Sequence, residues 1–352
     1  MSATPPRERV TMKRSRRSAR TRRLLPLAAV LPVAALISVG PATARDAGGQ
    51  PTSRESARPT VVLVHGAWAD ASGWDDVIDS LEAQGYPVVA IANPLRSLLG
   101  DSDYLAARLK AIKGPMVLVG HSYGGAVITN AAAGNPDVAS LVYIAGFAPD
   151  AGETIAQLIA KFPGSRLTDD LKAPIPTALD AVPLGGGPTD IDFTIKSDKF
   201  GDVFLSDRVD AARAGTLAAS QRPANATTNI QPTRAAAWKN IPSWYLVATD
   251  DRTIGTENLR FMARRAHATT VEVDAPHGVM ETNPDDVTDL ILRAAQGARP
   301  SLAATGGTDR DALLGGAAAL AVGTGTLLVA CSRRRGSRKA WEPEGRGALV
   351  ER

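Results

Sequence analysis

Met116-Val117-Leu118-Val119-Gly120-His121-Ser122-Tyr123-Gly124-Gly125-Ala126 is the stretch on which the fold turns. Its first four residues form a continuous apolar run, as expected of a strand buried on both faces, and the segment from Ala126 to Ala133 suits a helix. Between them, Gly120-x-Ser122-x-Gly124 predicts a tight strand-to-helix turn. In such a turn the serine is held in a strained backbone conformation that lifts its hydroxyl above the sheet edge. A Cβ at Gly120 or Gly124 would crowd it. The new helix also aims its N-terminal N–H groups at that spot, a positive dipole end suited to an oxyanion. Taken alone, a Gly-rich turn of this kind equally suits a phosphate, so the decision falls to residues elsewhere.

Histidine supplies the first of them. The chain has 4 His, and His65 and His121 belong to turn motifs, which leaves His267 and His277 as general-base candidates. His267 ends a helix-like run from Asn258, where a solvated or C-terminal capping side chain is expected. His277 lies in Pro276-His277-Gly278, a loop after the β-branched run Thr269-Thr270-Val271-Glu272-Val273, and is the better base. Trp244 to Thr249 reads as a strand, and Asp250-Asp251-Arg252 follows at its C-terminal end, where open α/β sheets place their sites. Both aspartates lie between Ser122 and His277 in the chain. Asp251 is the expected acid and Asp250 the alternative, a turn residue otherwise.

Val61-Val62-Leu63-Val64-His65-Gly66-Ala67-Trp68 reads as the first sheet strand followed by a turn. The backbone N–H groups of Ala67 and of Tyr123, the residue after the nucleophile, are the expected oxyanion hole. The His65 imidazole is expected to brace the loop rather than to react. From about Pro59 to about Gly297 the chain resembles the α/β-hydrolase superfamily. His65-Gly66-Ala67-Trp68, with Trp74 and Leu81-Glu82-Ala83-Gln84-Gly85-Tyr86, is similar to its esterase and hydroxynitrile lyase branch. The resemblance implies that Asp251 holds the acid position of a G-x-x-D-like turn. Plant hydroxynitrile lyases of that branch typically carry Thr at the position of Gly66 and Lys directly after the catalytic histidine. Gly66 and Gly278 therefore favour the esterase side.

Periodicity points the same way without the family. Trp74, Val77, Ile78 and Leu81 mark one helical face, and Leu105, Leu109 and Ile112 another. Val88-Val89-Ala90-Ile91 and Leu141-Val142-Tyr143-Ile144 are further apolar runs of the doubly buried kind. Helical patterns alternating with such runs predict βαβ units and a mostly parallel sheet covered by helices, and the resemblance implies that residues 59–299 form them as an α/β-hydrolase fold. The alternation lapses between about 149 and 240, a Pro- and Gly-rich stretch that reads as an inserted cap. The resemblance implies that it roofs the site, with Phe147, Leu158, Ile159, Phe162, Phe193, Phe204, Leu205 and Leu217 as cap-core or pocket candidates.

The ends of the chain carry addresses. A basic segment from Arg14 to Arg23, the apolar run Leu24 to Ile37 and Ala42-Thr43-Ala44 read as a signal peptide over residues 1–44, with a linker at 45–58. Thr21-Arg22-Arg23-Leu24-Leu25 also resembles a twin-arginine signal. Residues 300–352 combine Leu302-Ala303-Ala304-Thr305-Gly306, an apolar run at 312–331 and a basic tail. That order resembles an LAxTG sorting signal, cut by sortase between Thr305 and Gly306 to join the chain to peptidoglycan, with a plain transmembrane anchor as the alternative. Signal peptidase and sortase are the implied processing partners, and the cell surface the implied location.

Net charge is +4 for the whole chain, but the counts are about +8 for residues 1–44, about +3 for 300–352 and about −7 for the remainder. The basic balance therefore belongs to export, and nucleic acid is not an expected partner. The one cysteine, Cys331, lies in the C-terminal run, so no intrachain disulfide, Cys-ligated metal site or thiol nucleophile is available to the domain. No metal-ligand cluster, dinucleotide fingerprint or cofactor motif is found. The expected activity is hydrolysis of a small carboxylic ester by Ser122, His277 and Asp251 through an acyl-enzyme. A lactonase or cofactor-free lyase using the same residues, and a non-catalytic binding module, are the alternatives.

Overall fold

A computed structural model describes residues 58–170 and 172–298. The predicted signal peptide, nearly all of the linker and the C-terminal sorting and apolar segments, with Thr305 and Gly306, lie outside the described residues. Among the described residues no helix is long and apolar enough to cross a membrane.

In chain order the elements are β1 (Thr60–Val64), α1 (Asp75–Ala83), β2 (Val88–Ile91), α2 (Leu98–Leu109), β3 (Met116–His121), α3 (Tyr123–Ala131) and β4 (Val138–Ile144). The segment between the central strands adds α4 (Ile155–Ile159), β5 (Leu179–Pro183), β6 (Ile191–Ile195), α5 (Ser197–Leu205), α6 (Ala211–Ala219), β7 (Ala224–Asn225) and α7 (Thr227–Ile230). The chain then returns through β8 (Ser243–Ala248), α8 (Thr256–Arg265), β9 (Thr269–Val273), α9 (Val279–Thr282) and α10 (Pro284–Gly297).

Six parallel strands form the main sheet in the order β2-β1-β3-β4-β8-β9. The order follows from the side chains. Every residue of β3 is buried, as are Val61–Val64 and Leu141–Ile144, because these apolar runs have helices above and below them. Val88, Val89 and Ala90 depart from the expected double burial and are only half-buried, since β2 is an edge strand with one neighbour. β9, the other edge, is largely exposed and carries Thr and Glu. Helices α1 and α10 pack together, and α2 packs on α3. Ile112 falls beyond the end of α2, so its helical stripe is shorter than the sequence pattern suggests.

Connections from β1 leave in opposite directions, toward β2 on one side and, after α2, toward β3 on the other. Sheet order reverses there, and the crevice outside the C-terminal strand ends is where such sheets bind ligands. Above that edge sits a second sheet, the antiparallel β5-β6-β7, with Ala181 paired to Phe193 and Phe193 to Ala224. Sequence periodicity gives no sign of these short strands, because their residues are mostly half-buried or exposed on both faces. Of the cap candidates, Phe147, Leu158, Phe204 and Leu205 are buried, and Ile159, Phe162, Phe193 and Leu217 are half-buried.

Candidate active site

Strand β3 ends at His121, helix α3 begins at Tyr123, and Ser122 alone makes the turn with φ 51° and ψ −124°. An L residue avoids that region, and a side chain held there is positioned by its surroundings at a cost of about 1–3 kcal/mol. Backbone hydrogen bonds supply the restraint. Ser122 N–H donates to the Ile144 carbonyl, and the N–H groups of Gly125 and Phe147 donate to the Ser122 carbonyl. The two glycines explain how the turn closes. A Cβ at Gly120 would lie 2.6 Å from the Gly124 backbone, and one at Gly124 would run into the Val64 carbonyl oxygen. Gly66 is a third such position, where a Cβ would stand 2.6 Å from that of Ser122.

The structure brings Ser122, His277 and Asp251 together from three strand ends. Ser122 Oγ donates to His277 Nε2 at 2.9 Å, and His277 Nδ1–H donates to Asp251 Oδ2 at 2.7 Å. The carboxylate fixes this tautomer, since it can only accept. Asp251 Oδ1 accepts the N–H groups of Thr253 (2.9 Å) and Ile254 (2.7 Å) in the turn after β8. Burial raises the Asp251 pKa, but the His277 imidazole and these N–H donors outweigh it and hold the carboxyl below its ordinary range. Asp250, the alternative acid, is turned away from His277. Its oxygens accept from Arg208 and Arg252 in a half-exposed ion-pair cluster, so adjacency in sequence becomes opposite orientation at the strand end.

The other histidines separate by environment. His277 presents its carbonyl to His121, whose Nε2–H donates to it at 3.0 Å, and the two rings lie 4.9 Å apart. Burial, aided by the neighbouring imidazole of His277, lowers the His121 pKa to about 3. His65 donates from Nδ1 to the Gly66 carbonyl and accepts the Asn93 N–H at Nε2, and burial lowers its pKa to about 4. Its ring thus ties the loop after β1 to the end of β2. His267 is exposed with φ 49° just past the end of α8. Sequence reasoning assigned His121 only to the turn, and nothing in its neighbours signals the bond to the carbonyl of His277.

Ala67 and Tyr123 flank the serine on the loop after β1 and the first turn of α3, and among the described residues neither backbone N–H has a protein acceptor. Two free donors beside a buried hydroxyl suit an oxygen that acquires negative charge. Ser122 is 4% exposed and His277 0%, so the cap covers the site. Phe204, in cap helix α5, sets its ring edge-on to His277 at 5.0 Å, and the Gly278 N–H donates to the Phe204 carbonyl. A surface cavity of about 460 Å³, lined by Ala132, Asn135, Ala235 and Ile241 among others, opens at the far end of α3 and contains none of these residues. Among the described residues no group of His, Cys, Asp and Glu is arranged to hold a metal ion.

The Alpha/beta hydrolase family profile matches residues 61–290. An alpha/beta hydrolase of Aspergillus novofumigatus, nvfD, is 26% identical over 259 residues, covering 68% of this chain and 97% of its own. A carbendazim hydrolyzing esterase of a Nocardioides species is 33% identical over 113 residues, 28% of this chain and 47% of the relative. Among solved structures, a pyrethroid hydrolase from Sphingobium faniae is similar in fold, with a TM-score of 0.53, 21% identity and coverage of 68% of this chain and 97% of that one. A profile spanning most of the chain, together with a six-stranded parallel sheet carrying a serine at its central strand-to-helix turn, means that this chain belongs to the alpha/beta hydrolase family.

Proposed function

We propose that the protein is a serine esterase that cleaves a small carboxylic ester through an acyl-enzyme. The hydrogen-bonded series Ser122 Oγ, His277, Asp251 carries the reading. His277 Nε2 takes the hydroxyl proton as Ser122 Oγ attacks the ester carbonyl, and Asp251 stabilises the imidazolium that results. The Ala67 and Tyr123 N–H groups receive the oxyanion. Collapse of the intermediate expels the alcohol, which takes the proton back from His277. Water, activated by the same imidazole, then attacks the acyl carbonyl and releases the acid.

Ester chemistry is favoured by relatives that include an esterase and a methylesterase of Arabidopsis thaliana. The space beside His277 supports it over the lyase alternative. A Cβ on Gly278 would already meet Leu205 Cδ2 at 2.9 Å and the Phe204 ring at 3.2 Å, so the place that a lysine takes in the lyases is filled by the cap. The signal-like and LAATG-containing ends support export and attachment at the cell surface, by sortase or by a membrane anchor. The test is hydrolysis of a p-nitrophenyl ester series by the wild-type protein and by Ser122→Ala. Loss of about three orders of magnitude or more in kcat is expected of the variant, and retention of wild-type rates would overturn the reading.

A further inference from the structure

Both halves of the oxyanion hole are tied to one strand of the cap. On the first side, Ala67 is followed by Trp68, a buried residue with φ 60°, whose Nε1–H donates to the Phe193 carbonyl of β6 at 3.0 Å. A tryptophan in the left-handed region is strained, and this long-range hydrogen bond helps to hold it there. On the second side, the Tyr123 hydroxyl donates to Asp101 Oδ2 at 2.7 Å, both side chains being buried. Asp101 Oδ1 in turn accepts the N–H of Arg96 at 3.2 Å. The Arg96 guanidinium then leaves the body of the protein: Nη1 donates to both carboxylate oxygens of Asp192 (2.8 and 3.1 Å), and Nη2 to the Pro223 carbonyl. Asp192 is the β6 residue next to Phe193.

From this convergence, and resting on the triad reading above, we infer that strand β6 sets the oxyanion hole, with Trp68, Asp101 and Arg96 as positioning residues for the Ala67 and Tyr123 N–H donors. Neither arm touches the serine or the histidine. Each instead ties an oxyanion residue to one of two adjacent β6 residues, Phe193 on the first side and Asp192 on the second, so a cap seated over substrate and a correctly spaced pair of donors become one event. Geometry of this kind is worth rate because donors act only within a few tenths of an ångström of the developing charge.

The experiment compares Trp68→Phe, which keeps the ring and removes the N–H, with Arg96→Gln, Asp192→Asn and Tyr123→Phe. Asp103→Asn is the control, cutting the exposed Arg234–Asp103 pair between α2 and the end of the cap without touching either arm. Two quantities are read on each full-length protein: the rate at which a fluorophosphonate labels Ser122, followed by intact mass, and kcat and KM per labelled site on a p-nitrophenyl ester. In the four arm variants both rates should fall by about five- to fiftyfold, less than the loss of a whole donor, with KM moving less than about twofold. The control should keep both rates, and melting temperatures report any loss that is merely structural. Arm variants that label and turn over like wild type per active site, or that change KM alone, would overturn the inference and leave the triad reading intact. A wild-type protein in which the reagent does not label Ser122 would overturn both.

Discussion

At the scale of the residue, two adjacent aspartates show how a site selects its members. Asp250 and Asp251 leave the same strand end, yet one faces arginines and solvent and the other is sealed against His277. Asp251→Asn would present an amide to Nδ1 and favour the wrong imidazole tautomer, and a loss of about four orders of magnitude in kcat is expected. Asp250→Asn removes a partner of Arg208 and Arg252 in a half-exposed cluster, where ion pairs are worth little, and kcat should stay within about threefold of wild type. Steady-state kinetics on one ester decides this. Equal losses in the two variants would mean that the acid is shared.

Elements set what the residues can do. Helix α5 brings Phe204 and Leu205 against the loop carrying His277, and Gly278 is the position that permits the approach. Leu205 Cδ2 and the Phe204 ring are the far ends of side chains, so a single methyl group has some room to push them aside. Gly278→Ala should therefore cost about 1 kcal/mol of stability, while the branched Gly278→Val should cost about 3 kcal/mol and lower kcat/KM about tenfold as α5 is forced outward. Urea unfolding and ester kinetics on the two variants test the grading. A valine tolerated as well as alanine would show that α5 is loosely seated.

For the whole molecule, pH-dependent stability should follow the two buried histidines outside the triad. His65 and His121 have folded pKa values lowered to about 4 and about 3, below the 6.5 of an unconstrained imidazole, principally by burial. The unfolded chain therefore binds protons that the folded one refuses, and stability falls as pH drops below about 6.5. Each histidine adds up to about 1.4 kcal/mol per pH unit, a slope that ends only when the folded ring itself takes a proton. Denaturant unfolding at about pH 7 and about pH 5 should show the loss, and His65→Asn should reduce it. Equal stability at both values would mean that these rings are hydrated in the native protein. The lowered Asp251 pKa works in the same direction but at more acid pH, since its stabilising charge is lost only as pH falls through the folded value.

What the sequence determined by itself is local or periodic. The apolar runs of β1, β3, β4 and β8, the Gly-x-Ser-x-Gly turn and the order of serine, acid and histidine are all readable because burial on both faces and a crowded turn restrict residue type at the positions themselves. The resemblance favoured Asp251 over Asp250, but only the tertiary structure shows how two neighbours come to face opposite ways, because orientation at a strand end depends on what packs on either side of it. It also decided the cap. Strands β5, β6 and β7 are short and half-exposed, so no periodicity marks them, and β6 is tied to the body of the protein by Trp68 and Arg96, residues distant in sequence. The tie from Trp68 to Phe193 spans 125 residues and that from Tyr123 to Asp101 spans 22. Neither leaves a pattern in the chain, since a hydrogen bond between remote residues constrains at most its two ends and nothing between them.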